Sequence, residues 1–86
     1  MDINNLIAIV KKKLINQILI EKIDIEDKSF LHKNHSGHQE GKFHLKLIIS
    51  SKELKKLNPI ESNKKIYKIL DKEMKESIHS IQILIS

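Results

Sequence analysis

Cysteine is absent from this 86-residue sequence. The chain by itself therefore forms no disulfide, offers no thiolate to a metal and has no thiol nucleophile, and any thiolate in its chemistry must come from a partner. Aromatic residues are scarce as well. One tyrosine, two phenylalanines and no tryptophan leave too few rings for the stacking platforms that bind single-stranded RNA on an open sheet. With only two glycines and one proline there is no glycine-rich loop to cradle phosphates, and no nucleophile motif is present, so a non-enzymatic role is expected. Apolar runs such as Leu47-Ile48-Ile49 and Ile81 to Ile85 fall far short of the roughly 20 residues that span a bilayer. The opening stretch, with Asp2, Asn4, Asn5 and then Lys11 to Lys13, lacks the basic start, apolar run and small-residue cleavage site of a secretion signal. A cytoplasmic location is expected.

Isoleucine, leucine and lysine dominate what remains. The length suits one small domain spanning residues 1–86, whose core must be built from Ile and Leu. All 16 basic residues are lysines, and against 11 acidic residues they give a formal charge of +5. Lysines release counterions from phosphate and so favour polyanions. A sequence rich in Ile, Lys and Asn with no Arg also carries such a charge through compositional bias alone.

Met1 to about Leu19 reads as a helix, because Ile3, Leu6, Ile7, Val10, Leu14 and Ile18 recur at steps of three and four. Asp2 is placed to cap it, and the triplet Lys11 to Lys13 reads as a solvated face. From Glu21 the period becomes two, with Ile23 and Ile25 between Lys22, Asp24 and Glu26, the mark of a half-buried strand. A long polar loop, Asp27 to Lys42, follows. It carries His32, His35 and His38 at equal steps, with Gly37 and Gly41 as turn formers. Phe43, Leu45, Leu47 and Ile49 form the apolar face of a second strand, which puts His44 on its outer face. Ser50 to Leu57 reads as a short helical turn. Asn58-Pro59-Ile60-Glu61 then opens a longer helix with a cap residue and a proline at its first position. Ile60, Tyr67, Leu70, Met74 and Ile78, joined by Ile66 and Ile69, are expected to form its buried stripe, leaving Lys64, Lys65, Lys68, Lys72 and Lys75 outside. His79 to Ile85 returns to period two as a third strand. The order helix-strand-strand-helix-helix-strand predicts a two-layer α+β domain, with the helices on one face of a three-stranded mixed sheet.

These residues resemble the BolA-like proteins, whose fold is related to the second class of KH domains. The family's loop signature is similar to Asp27-Lys28-Ser29-Phe30-Leu31-His32, and its second strand to Gly41-Lys42-Phe43-His44-Leu45, with Ile48-Ile49-Ser50 after it. Ile66-Tyr67, Leu70 and Glu73 resemble its long helix, and Ile78-His79-Ser80-Ile81 the start of its last strand. Where many members carry an arginine-histidine-arginine run before the apolar-tyrosine pair, this sequence has Ser62-Asn63-Lys64, keeping at most one of the positive charges. The resemblance implies an adaptor that binds a monothiol glutaredoxin, either as an apo complex or around a shared [2Fe-2S] cluster with glutathione, in iron–sulfur maturation or iron and redox regulation. It also implies, as an alternative, a DNA-binding transcriptional regulator, for which Lys64, Lys65 and Lys68 are the candidate contacts.

In the adaptor reading His79 is the first candidate metal ligand, since a helix-to-strand junction can aim its ring. His32 is the second by its position in the motif, with His35 or His38 as possible substitutes. Histidine in place of thiolate on one iron removes negative charge and raises the reduction potential. The three loop histidines lack the turn-fixed spacing of a structural zinc site. Asp24, Glu26 and Asp27 alternate across a strand end and read as solvated. The isolated chain is expected to be a monomer without bound cofactor.

Overall fold

The computed structural model describes residues 2–29 and 42–86. In chain order the elements are α1 (Ile3–Gln17), β1 (Lys22–Asp27), β2 (Phe43–Ser50), α2 (Lys52–Lys55), α3 (Pro59–Ile69), α4 (Asp71–Glu76) and β3 (Ile78–Ile85). The Asp2 carboxylate accepts from Asn5 N–H at 2.9 Å, and Asn58 Oδ1 accepts from Glu61 N–H at 2.8 Å. Both helix starts anticipated from the sequence thus have their side-chain caps. Ser51 does the same for α2, its Oγ accepting from Leu54 N–H at 3.1 Å.

The sheet order is β1-β2-β3. β1 runs antiparallel to β2 from Lys22 opposite Ser50 to Asp27 opposite Leu45 without a slip. The alternating Ile23 and Ile25 against Ile49 and Leu47 hold that register. β2 and β3 are parallel, and α2, α3 and α4 form the crossover between them. One apolar cluster joins Leu6, Val10 and Leu14 of α1 to Leu45, Leu47 and Ile49 of β2, together with Leu54, Ile66, Leu70 and Ile78. The helices therefore share the core face of a three-stranded mixed sheet, as the two-layer α+β reading expected.

Three expectations need correction. The long helix is interrupted at Leu70 (φ −96°, ψ 19°), and Ile78 opens β3 rather than ending a helical stripe. Of the expected stripe, Ile66, Leu70 and Ile78 are buried and Ile69 and Met74 pack against the core, and Ser62, Glu73 and Ser77 join the buried side. Tyr67 and Ile60 depart from it, being 40% and 68% exposed. Finally, Lys13 does not belong to a purely solvated triplet. Its Nζ lies 2.6 Å from Glu73 Oε2, an ion pair that ties α1 to α4.

Candidate functional site

β3 begins with an irregularity. Phe43 stands opposite Ile78, but the next residue, His44, stands opposite Ser80, so one step on β2 spans two on β3 and His79 is the extra residue of a β-bulge. The sequence demands this. Ile78 and Ile81 are three apart, which a regular strand would send to opposite faces, yet both pack on the core. The bulge resolves the conflict and leaves His79 and Ser80 together between them, both exposed.

His44 sits against this bulge. It takes the parity that alternation predicts, opposite to Leu45, but it is only 6% exposed, so an outer-face histidine surrounded by solvent is not what the chain builds. Its Nδ1 is 2.6 Å from Ser80 Oγ, and either atom of that pair can carry the proton. Its ring lies 4.9 Å, centroid to centroid, from the ring of His79 at an interplanar angle of 37°, within the range of a packed aromatic pair.

The backbone of His44 also holds the root of the long loop. Lys28 N–H donates to the His44 carbonyl at 2.7 Å, and His44 N–H donates to Ser29 Oγ at 3.1 Å. Ser29 N–H in turn donates to the Asp27 carboxylate at 2.9 Å, an Asx-type turn that fixes the chain as it leaves β1. The acid-x-serine signature thus clamps the loop root to the strand beside His79. Asp27 and Ser29 act here as structural tethers, and Glu26 pairs with Lys28 at 3.2 Å. Solvation alone does not describe this acidic group.

His32, His35 and His38, together with Phe30, Leu31, Gly37 and Gly41, lie outside the described residues. Among the described residues no group of three or more His, Asp or Glu side chains could hold a metal ion. What they offer is one exposed imidazole, His79, beside a buried one held by Ser80. A metal bound through His79 would draw its other ligands from beyond these residues.

The candidate nucleic-acid contacts lie elsewhere, on α3. Lys64 and Lys68 are exposed, whereas Lys65 Nζ is paired with Glu53 Oε2 at 2.9 Å. That lysine, with the Leu19 backbone N–H, holds the Glu53 carboxyl below the ordinary glutamate value. Lys13, Asn16, Gln17, Lys65, Lys68 and Ile69 line a groove of about 590 Å³. Two of its three lysines already face a carboxylate. No helix among the described residues is long and apolar enough to cross a membrane.

The sequence puts His79 at the start of the last strand, where it lies, but does not reveal His44, Ser29 and Ser80 as parts of one arrangement with it. The three-residue step from Ile78 to Ile81 is the available signal.

Comparison with known proteins agrees with this architecture. The family described as BolA-like protein matches residues 10–86. The chain is 27% identical over 75 residues to a Haemophilus influenzae protein named DNA-binding transcriptional regulator BolA, covering 87% of this chain and 70% of that one. Among solved structures, the BolA domain of SufE1 from Arabidopsis thaliana superposes with a TM-score of 0.77 at 24% identity, covering 92% of this chain and 87% of that one. BolA1 from the same plant gives 0.75 at 23% identity with the same coverage. At such identities the structural likeness speaks for the fold alone. With the family match running over the bulge, the second strand and the loop root, this chain belongs to the BolA-like proteins.

Proposed function

We propose that the chain is a non-enzymatic BolA-like adaptor that binds a monothiol glutaredoxin and contributes an imidazole to a [2Fe-2S] cluster shared with it. The observation that carries this reading is the placement of His79: exposed, on a bulge at the start of β3, beside a loop root tied down by Asp27 and Ser29. His32 follows Ser29 by three residues in the sequence and is the proposed second ligand, with His35 and His38 as substitutes. The partner and glutathione supply the thiolates that a cysteine-free chain lacks. When bound, such a cluster supplies one-electron chemistry or a transferable iron–sulfur unit. The residues of this chain orient a neutral nitrogen donor and form the protein contact. This activity belongs to the cytoplasm.

The test is a titration of the chain into reconstituted [2Fe-2S] monothiol glutaredoxin with glutathione, followed by gel filtration and visible circular dichroism. A heterodimer with a changed spectrum is expected. Absence of a complex, with or without cluster, would overturn the reading.

A second reading, DNA-binding regulation, is favoured by the name of the Haemophilus influenzae relative and by Lys64 and Lys68 on α3. It predicts binding that collapses with added salt and persists after His79→Ala. Against it stand the pairing of Lys65 with Glu53 and Ser62-Asn63-Lys64 in place of the arginine-histidine-arginine run.

A further inference from the structure

Metal-ligating histidines are seldom left to orient themselves; a neighbouring group fixes the ring, and its loss weakens the site. His79 is exposed, and a solvent-facing side chain on an unpaired bulge residue ordinarily samples several rotamers. Two features of its surroundings oppose that. The ring of His44 packs against one side of it, 4.9 Å away between centroids. The His44 ring is itself immobilised, because it is buried and its Nδ1 is bound to Ser80 Oγ at 2.6 Å.

From this geometry we infer that His44 is a positioning residue, which holds the His79 imidazole in a single orientation and, through its backbone, holds the loop root in register with it. The inference rests on the proposed role of His79 as a ligand and deepens it. His44 joins the two parts of the site from one position. Its ring meets Ser80 and His79, its N–H meets Ser29 Oγ at 3.1 Å and its carbonyl meets Lys28 N–H at 2.7 Å. Every one of these groups belongs to the loop root or to the bulge. The ring restricts His79 before any partner arrives, so the ordering cost of ligation is met in folding and not in binding. Ser80 has a defined place in this scheme: a small hydroxyl at the bulge is what fixes the His44 ring.

The experiment has two arms. In the isolated chain, side-chain NMR of His79 reports its χ1 populations and the ring-current shift from its neighbour. One dominant rotamer is expected in the wild type, with averaging and loss of the shift in His44→Ala. Ser80→Ala, which leaves the His44 ring in place but unfastened, should average His79 partially, and it serves as the deciding variant if His44→Ala does not fold. In the complex with [2Fe-2S] glutaredoxin, His44→Ala should hasten cluster loss about 10-fold, with the wild-type spectrum retained initially. If His79 keeps one rotamer in the folded variants, or averages among several already in the wild type, the inference fails. If the wild-type complex shows no His79-dependent spectrum, the ligand reading fails, while the NMR arm still reports on positioning.

Discussion

Replacing Lys13 by methionine should destabilise the chain more than its surface location suggests. The Lys13 side chain is 39% exposed, but the carboxylate it meets at 2.6 Å, Glu73, is only 7% exposed. The second oxygen of that carboxylate, Oε1, is buried without a hydrogen-bond partner among the described residues. Lys13→Met therefore strands a buried carboxylate. Breaking a fully buried pair in this way costs about 3–5 kcal/mol, and the exposure of Lys13 reduces the figure, since solvent-screened pairs contribute only about 0–1 kcal/mol. A loss of about 1–3 kcal/mol follows from these two limits. With a urea m-value of about 1 kcal/mol/M for a small domain, the midpoint should fall by about 1–3 M. The double variant Lys13→Met with Glu73→Met removes both charges and fills the space with apolar atoms. It should recover to within about 1 kcal/mol of the wild type, because desolvation offsets most of the attraction in a buried pair. Urea unfolding followed by far-ultraviolet circular dichroism measures all three proteins. A cost for Lys13→Met below about 0.5 kcal/mol, or a double variant no more stable than the single one, would refute this reasoning.

Leu70→Ala, at a fully buried position in the break between α3 and α4, should cost about 2–5 kcal/mol, whereas Tyr67→Ala on the exposed side should cost less than about 1 kcal/mol; reversal of that order in thermal melts would contradict this division of buried and exposed positions. The Glu53 carboxyl is held low in the folded chain, first by Lys65 and then by the Leu19 N–H. Its contribution is therefore present above the ordinary glutamate value and lost as pH falls below it through the lowered value of the folded chain. The melting-temperature gap between wild type and Glu53→Gln should narrow on acidification below about pH 4, and a gap that widens there would contradict the assigned cause.

Local signals carry most of the fold. The three- and four-residue steps of α1, the alternation in β1 and β2 and the caps at Asp2 and Asn58 are each decided by residues within one turn or one strand. The differences arise where distant contacts decide. Ile60 and Tyr67 continue an apolar period through residue 78, and nothing local between Lys68 and Lys72 discourages a helix. The break at Leu70 instead accompanies burial of Ser62 and Glu73. Ser62 satisfies its own hydroxyl by donating to the Pro59 carbonyl at 3.1 Å, and Glu73 is met by Lys13, 60 positions away. The partner of Ser62 lies one helical turn back, but Lys13 is not visible in helical periodicity. At the site, alternation gives the parity of His44 correctly but not its burial, because its hydroxyl partner Ser80 is 36 residues distant. The bulge is encoded locally, by two isoleucines three apart, and is hidden as long as Ile78 is read as the end of a helical stripe.

The central claim concerns one imidazole. Visible circular dichroism of the [2Fe-2S] glutaredoxin complex, recorded with wild-type chain and with His79→Ala at equal occupancy of the heterodimer, tests it directly. Because His79 is exposed on the bulge, the substitution should leave the fold and its melting temperature nearly unchanged while abolishing the spectrum that appears on complex formation. An identical spectrum from a folded, complexed His79→Ala chain would show that the imidazole is not a ligand.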